Sequence, residues 1–224
     1  MARTTTIDSD EILRVARHLF LKRGLDVPTS EIAKQVGVSE GSIFKRFPTK
    51  RALFIASMGI DDHPDWMTTL GENVGEGELK ENLQQLCLKM IDYVRGLLPR
   101  MMLLWSCREP ACPAENPHAK PTSPPRVLLT HLTDYLDQEM RLGRMRAAHP
   151  EVVSRMLMGS VWNYVFLETM GRQQNEASSA DDPQFPPPAI TGAPSMNPNT
   201  YAHSVIETLW SGVAPHPFSL RGED

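Results

Sequence analysis

The stretch GVSEGSIFKRFPTK, Gly37–Lys50, decides how this chain is read. A small-residue turn leads to a serine, and Ile43, Phe44 and Phe47 then follow at helical spacing. Lys45, Arg46, Lys50 and Arg51 crowd the far end. Ser39 is a natural N-cap, because its hydroxyl can accept from an otherwise unpaired N–H in the first turn. Pro48 disfavours helix at the residue before it, and Thr49 can then cap a fresh helix beginning KRALFIASM. Ile43 and Phe47 lie four apart and can anchor the segment. Glu40, Gly41, Ser42, Lys45 and Arg46 are left facing outward.

Two further helices precede it. Residues 8–23 place Ile12, Leu13, Ala16, Leu19 and Phe20 on one face at 3.6 residues per turn. Acids open this helix, Lys22 and Arg23 close it, and Gly24 follows as a stop. After LDVP, Thr29 is the expected cap of SEIAKQV, with Ile32, Ala33 and Val36 facing inward and Gly37 as the end. Three short helices with a tight turn between the second and third make a helix-turn-helix unit. Small residues at the front of the third helix would let backbone approach a surface, and cations behind it could engage phosphates beside a groove. A small helical core with a solvated charged face fits the same residues.

Charge sharpens the choice. The 224-residue chain carries a net −4, yet residues 1–55 hold ten Lys+Arg against six Asp+Glu. A basic head on an acidic body suits a protein of which only the head meets a polyanion. No apolar run approaches the roughly 18 residues of a membrane span. MARTTTIDSD has no apolar run after Arg3, so we expect no secretory signal and a cytoplasmic protein. Cys87, Cys107 and Cys112 are too few and odd in number for a disulfide framework.

Beyond residue 60 the composition changes. DDHPDW and GENVGEGE suggest turns. Helical periodicity resumes over 79–98, and Pro99 is expected to separate a short helix, RMMLLWSC. Further helices are expected over 126–142, from Pro150 to about Arg172, and from a cap at Asn199 or Thr200 to Ser211, with Gly212 as the stop. Residues 108–125 and 173–198 each carry six prolines and suggest long connections. No strand is expected, so the fold class is all-α.

The segment ILRVARHLFLKRGLDVPTSEIAKQVGVSEGSIFKRFPTKRALF, residues 12–54, resembles the TetR family of bacterial transcriptional regulators. Its shared parts are RG at a helix end, EIA, GVS, a small residue at Gly41, an aromatic pair spaced as Phe44 and Phe47, and Lys50. A softer resemblance covers residues 136–168, where an acidic helix end, Gly-Arg and a helix opening near PEVV lead into the family's dimerisation bundle. The resemblance implies a DNA-binding helix-turn-helix domain, residues 1–55, and a helical ligand-binding and dimerisation domain, residues 56–224. It implies contacts to double-stranded DNA from Thr29, Ser39, Glu40, Gly41, Ser42, Phe44, Lys45, Arg46 and Lys50. Two positions depart from the family pattern. Phenylalanine stands at 44 where tyrosine is usual, and lysine at 45 where histidine or tyrosine is frequent. Phe44 keeps the packing and loses a phosphate hydrogen bond, which the charge of Lys45 could replace.

The larger part is less specific. Residues 152–170 are apolar nearly all round, which suits either a helix packing on both its own domain and a second copy or the central helix of a monomer. For the dimer, the expected contacts are Val153, Leu157, Gly159, Ser160 and Tyr164, with Ile206, Leu209 and Trp210 from the last helix. Two helices per subunit would form a four-helix interface. Trp66, Met101, Met102, Trp105, Trp162 and Phe166 could line an apolar effector pocket with His131 as its polar contact; the same residues would serve as plain core. Cys107, Cys112 and His118 do not have structural-zinc spacing, and DDHPD reads as a polar turn. With no G-x-S-x-G, Walker loop or H-E-x-x-H, no catalytic residue, metal or cofactor is expected. The reading is a homodimeric repressor on an inverted-repeat operator, released by a small, mainly apolar ligand. The alternative is a DNA-binding protein controlled by a protein partner.

Overall fold

The computed structural model describes residues 8–60, 63–106, 124–177 and 196–214, and these contain helices and turns with no strand among them. The described residues divide into two compact units. The first is drawn from Met1–Asp62 and Leu97–Pro121, the second from His63–Gly96 and Thr122–Asp224.

The first unit holds α1 (Ser9–Arg23), α2 (Thr29–Val36), α3 (Glu40–Phe44) and α4 (Lys50–Met58). Three side-chain caps start these helices. Asp8 accepts from the Asp10 N–H, Ser39 from Ser42 and Thr49 from Ala52. The core is built from Ile12, Ala16, Leu19 and Phe20 of α1, Ile32 and Ala33 of α2, Ile43 of α3, and Leu53, Phe54 and Met58 of α4. Phe20 and Phe54 meet edge to face with centroids 5.2 Å apart, the arrangement favoured by ring quadrupoles. Leu103 and Leu104 pack against the same core. Two guanidiniums close the C-terminal end of α4. Arg17 donates to the Ser57 carbonyl at 2.5 Å, and Arg100 donates to the carbonyls of Met58 and Gly59 at 2.9 and 3.2 Å. Cations there satisfy carbonyls that have no intrahelical partner and suit the helix dipole.

Thr29 corrects one expectation. It is the first residue of α2 and not its cap; Pro28 stands at the cap in extended conformation, and no side chain bonds there. Proline's fixed φ suits the entry, its carbonyl already accepts from Glu31 and Ile32, and Thr29 is buried.

The second unit contains α5 (Asp65–Thr68), the 3-10 turn Leu70–Asn73, α7 (Pro124–Arg141), α8 (Pro150–Ala177), α9 (Pro198–Val213) and the first part of α6 (Leu79–Ser106). The DDHPDW and GENVGEGE regions thus include a short helix and a helical turn. Pro99 does not divide α6. An internal proline costs about 3 kcal/mol, and burial of Leu97, Leu98 and Met101 around it offsets that. The cap of α9 is Asn197, which accepts from Thr200, with Pro198 opening the helix; Gly212 lies inside it. Pro at the first position loses no bond, so this pairing outcompetes a start at Asn199 or Thr200. The proline-rich connections expected over 108–125 and 173–198 lie mostly outside the described residues.

Within this unit α7 packs on α8, and two tyrosines join α8 to α9. Tyr164 and Tyr201 stack at 4.3 Å; Tyr164 donates to the Met196 carbonyl and Tyr201 to that of Ser160, both at 2.9 Å. Arg95 makes a two-toothed ion pair with Glu168 at 2.8 and 3.0 Å. Glu139, completely buried, accepts from the Gly75 N–H at 3.0 Å and lies 3.3 Å from the Arg144 guanidinium. Arg144 also donates to the carbonyls of Glu76 and Gly77. Gly143, with φ +72°, turns the chain so that Arg144 folds back on the helix it has just left.

Removing one partner strands the other charge inside, so Glu139→Ala and Arg144→Ala should each cost about 3–5 kcal/mol in urea unfolding. Burial also pushes the Cys87 thiol from its ordinary 9.0 up to about 12 and the Tyr135 hydroxyl from 10.0 up to about 12. The unfolded chain loses these protons first as pH rises, so their contribution is complete below pH 9 and is lost from there towards pH 12. The urea midpoint should fall across that alkaline range, with a shallower first part in Cys87→Ala.

Candidate nucleic-acid interface

The turn from α2 to α3 is made by Gly37, whose φ of +78° only glycine adopts without strain. Its N–H donates to the Ala33 carbonyl at 2.9 Å, and that of Val38 donates to the same oxygen at 3.0 Å. Ser39 then starts α3: its Oγ accepts from the Ser42 N–H at 3.1 Å and shares a 2.8 Å bond with the Ser42 hydroxyl. The helix lasts five residues, and Ile43, with no exposed surface, is its one buried side chain. Phe47 lies beyond the helix, where the sequence suggested it would be inside. Its N–H donates to the Ile43 carbonyl at 2.9 Å, and its ring still packs on the core. Pro48 explains the early end, since helix is disfavoured at the residue before it.

This arrangement gathers the expected contact residues on one short segment. Ser39, Glu40, Gly41, Phe44, Lys45 and Arg46 are exposed, and Ser42 and Lys50 are half-buried. Thr29 stands apart from them in burial, with 6% of its surface accessible. Arg46 donates to the Ser9 hydroxyl at 3.2 Å, which fixes its guanidinium near the start of α1. Among the described residues, no carboxylate forms an ion pair with Lys45 or Lys50. Their charges are therefore available to an anion. The fold thus presents backbone-accessible small residues, an exposed ring and uncommitted cations on one surface.

The profile of the bacterial regulatory proteins of the tetR family matches residues 12–57. Residues 12–57 are thus a tetR-family DNA-binding segment. Solved structures agree on the fold. The chain is similar to a TetR-family transcriptional regulator from Pectobacterium atrosepticum, with 17% identity, coverage of 96% of this chain and 100% of that one, and a TM-score of 0.54. A structure from Mesorhizobium loti MAFF303099, described as of the same family, has 19% identity, coverage of 95% and 100%, and a TM-score of 0.60. NalD, the secondary repressor of the MexAB-OprM multidrug efflux pump in Pseudomonas aeruginosa, has 17% identity, coverage of 92% and 96%, and a TM-score of 0.52. No curated protein matches the chain. Among the described residues, no helix is long and apolar enough to cross a membrane.

The residues suggested for an effector pocket are divided between the two units. Met101, Met102 and Trp105 belong to the first unit, and Trp66, His131, Trp162 and Phe166 to the second. Trp105 is 68% exposed; Trp66 is half-buried, edge-on to Tyr93 at 6.1 Å. Of the residues suggested for dimer contact, Val153, Leu157, Tyr164 and Ile206 are buried within the single chain. Leu209 and Trp210 are half-buried beside them, lining a cavity of about 10 Å³ with Leu83, Leu136 and Met145. Ser160 is half-buried, and Gly159 is exposed. The metal-like group at Cys107, Cys112 and His118 lies outside the described residues, as do Asp61 and Asp62.

Sequence reasoning passed over Arg17 and Arg100, which close α4. The only available signal was a cation at core-facing spacing, and surface arginines share it.

Ile43 and its neighbour should separate structure from surface. Ile43→Ala should cost about 2–5 kcal/mol in urea unfolding of the full chain. Phe44→Ala, at an exposed site, should cost less than about 1 kcal/mol.

Proposed function

We propose that this regulator is a homodimeric repressor that holds an inverted-repeat operator through α3 and the start of α4. The observation that carries the reading is the exposed face of α3, with Lys45 and Lys50 free of ion pairs among the described residues. In this proposal residues 1–55 are the DNA-binding domain and residues 56–224 bind effector and partner. Gly41 and Ser42 come near the base edges, while Lys45, Arg46 and Lys50 meet phosphates. Two copies can address successive major grooves when their recognition helices lie about 34–36 Å apart.

The dimer reading is supported by α8. Val152 and Met156 are 50% and 55% exposed, and Gly159 continues their line at i+7. A Cβ on Gly159 would meet nothing within 4 Å, so packing inside the protomer does not require glycine there. Close approach of a second helix does. The effector is proposed as small and mainly apolar, held in the second unit near Trp66, His131, Trp162 and Phe166. NalD, described as an efflux-pump repressor, gives the repressor reading a parallel of fold only. The second reading is a regulator governed by a protein partner; the cavity of about 10 Å³ beside Trp210 has room for about one water and is not itself the proposed effector site.

Selection of bound duplexes from a random pool should recover an inverted repeat. On that duplex, Lys45→Ala and Lys50→Ala should each weaken binding. Each should also reduce the slope of log K against log salt by roughly one per phosphate contact removed. Slopes unchanged in both variants count against these contacts. A thermal-shift screen of apolar metabolites separates the two forms of control: a compound that raises the melting temperature and releases the duplex supports the effector.

A further inference from the structure

Ser9, the first residue of α1, stands beside the cation-bearing end of the segment that holds α3. Arg46 donates from Nε to its hydroxyl at 3.2 Å, although the two are 37 positions apart. The chain that leads into α1 therefore enters at this edge of the first unit. Asp8 sits there in extended conformation, and its carboxylate is turned onto the helix by the Asp10 N–H at 3.0 Å. The residues ahead of it are ARTTTI, positions 2–7, which hold Arg3 and no acid. Thr4, Thr5, Thr6 and Ile7 are β-branched, and such residues favour extended backbone over helix. The cap of α1 is Asp8 and its buried face begins at Ile12, so the helix does not need this stretch in order to form.

In the DNA-binding reading above, on which this inference rests, Arg46 meets a phosphate. A row of phosphates is the wall between the two grooves, so a chain that passes beside Arg46 starts at that wall. The minor groove is about 6 Å wide and about 7.5 Å deep. Arg3 lies five residues before Asp8, and five residues of extended chain span about 17 Å. That reach exceeds the width and depth together, before the length of the arginine side chain is counted. We propose that residues 2–7 cross the phosphates as an arm and place the Arg3 guanidinium in the minor groove next to the major groove that α3 faces. Its ligand there is an A·T pair. Such a pair presents acceptors alone, adenine N3 and thymine O2, whereas guanine adds an amino donor that opposes a group with five donors and no acceptor. A narrow, A·T-rich minor groove also concentrates the negative potential that draws arginine in. The threonine hydroxyls can hydrogen-bond phosphates on the way. Arg3 thus adds a base preference outside the bases that α3 faces.

The test uses the full chain and the duplex recovered by selection from a random pool. Each adenine is replaced in turn by 2,6-diaminopurine, which puts an amino group in the minor groove and leaves the major-groove edge as it was. In wild type, replacement at an A·T pair in each half-site should weaken binding about fivefold, the lower end of the loss from one wrong base pair. Arg3→Ala should bind the adenine duplex about fivefold more weakly than wild type and the diaminopurine duplex no worse than that. Position 3 precedes α1 and its core, so the melting temperature of this variant should match that of wild type. Full wild-type affinity for every diaminopurine duplex overturns the inference, and so does a penalty that persists undiminished in Arg3→Ala. An Arg3→Ala loss without any diaminopurine penalty in wild type marks a phosphate contact, and it too overturns the minor-groove assignment. Recovery of no duplex at all overturns the DNA-binding reading itself, so the two failures are distinct.

Discussion

The burial of Ile43 is the constraint on which the candidate interface depends. Ordering the backbone of five residues costs about 1–2 kcal/mol each, and a helix of that length does not stand alone in water. Burying one isoleucine returns about 1.5–3 kcal/mol. The remainder has to come from bonds made at the edges of α3. These are the Gly37 and Val38 N–H groups on Ala33, the Ser39 cap, and the Lys45 and Phe47 N–H groups on Gly41 and Ile43. The orientation of every outward residue follows from this arrangement. With Ile43 pointing into the core, Glu40, Gly41 and Phe44 have only solvent to face.

The fourth helix is fixed by a different means. Its start is capped by Thr49, and its end is held by guanidiniums from α1 and α6. A guanidinium presents several N–H groups in one plane, so Arg100 can satisfy two consecutive carbonyls where a lysine would offer a single compact charge. Arg100 follows directly on Pro99, which lies inside α6 without ending it.

The legible parts of the chain were those where cap, periodicity and stop signal agreed. The bounds of α1 and α4 follow from Asp8, Thr49 and the apolar positions between, because each signal acts within one turn of the chain. What escaped depends on distant partners. Glu139 and Arg144 look like surface charges on a helix end; their burial exists only because the Gly75–Gly77 backbone lies against them. Pro99 and Asn197 show tertiary packing and a better local cap overriding a reasonable local guess. In the second unit, apolar residues carry no mark that separates core, cavity and interface. Hence Val153, Leu157, Tyr164 and Ile206, whose pattern suited a second copy, are buried inside one.

The division of labour along α3 has a physical basis in range. Unpaired lysines act through a field that reaches about 10 Å at 0.1 M salt and scarcely distinguishes one base from another. Such charges bring the basic head of an acidic chain onto a polyanion and cannot tell it where to stop. Short-range contact must do that, and it demands surface that the protein does not need for itself. Exposed glycine at 41 and exposed phenylalanine at 44 are both unfavourable choices for an isolated helix, one losing propensity and the other leaving apolar area in water. Residues that a fold keeps at a cost, without using them in its own packing, are the places to look for what binds from outside.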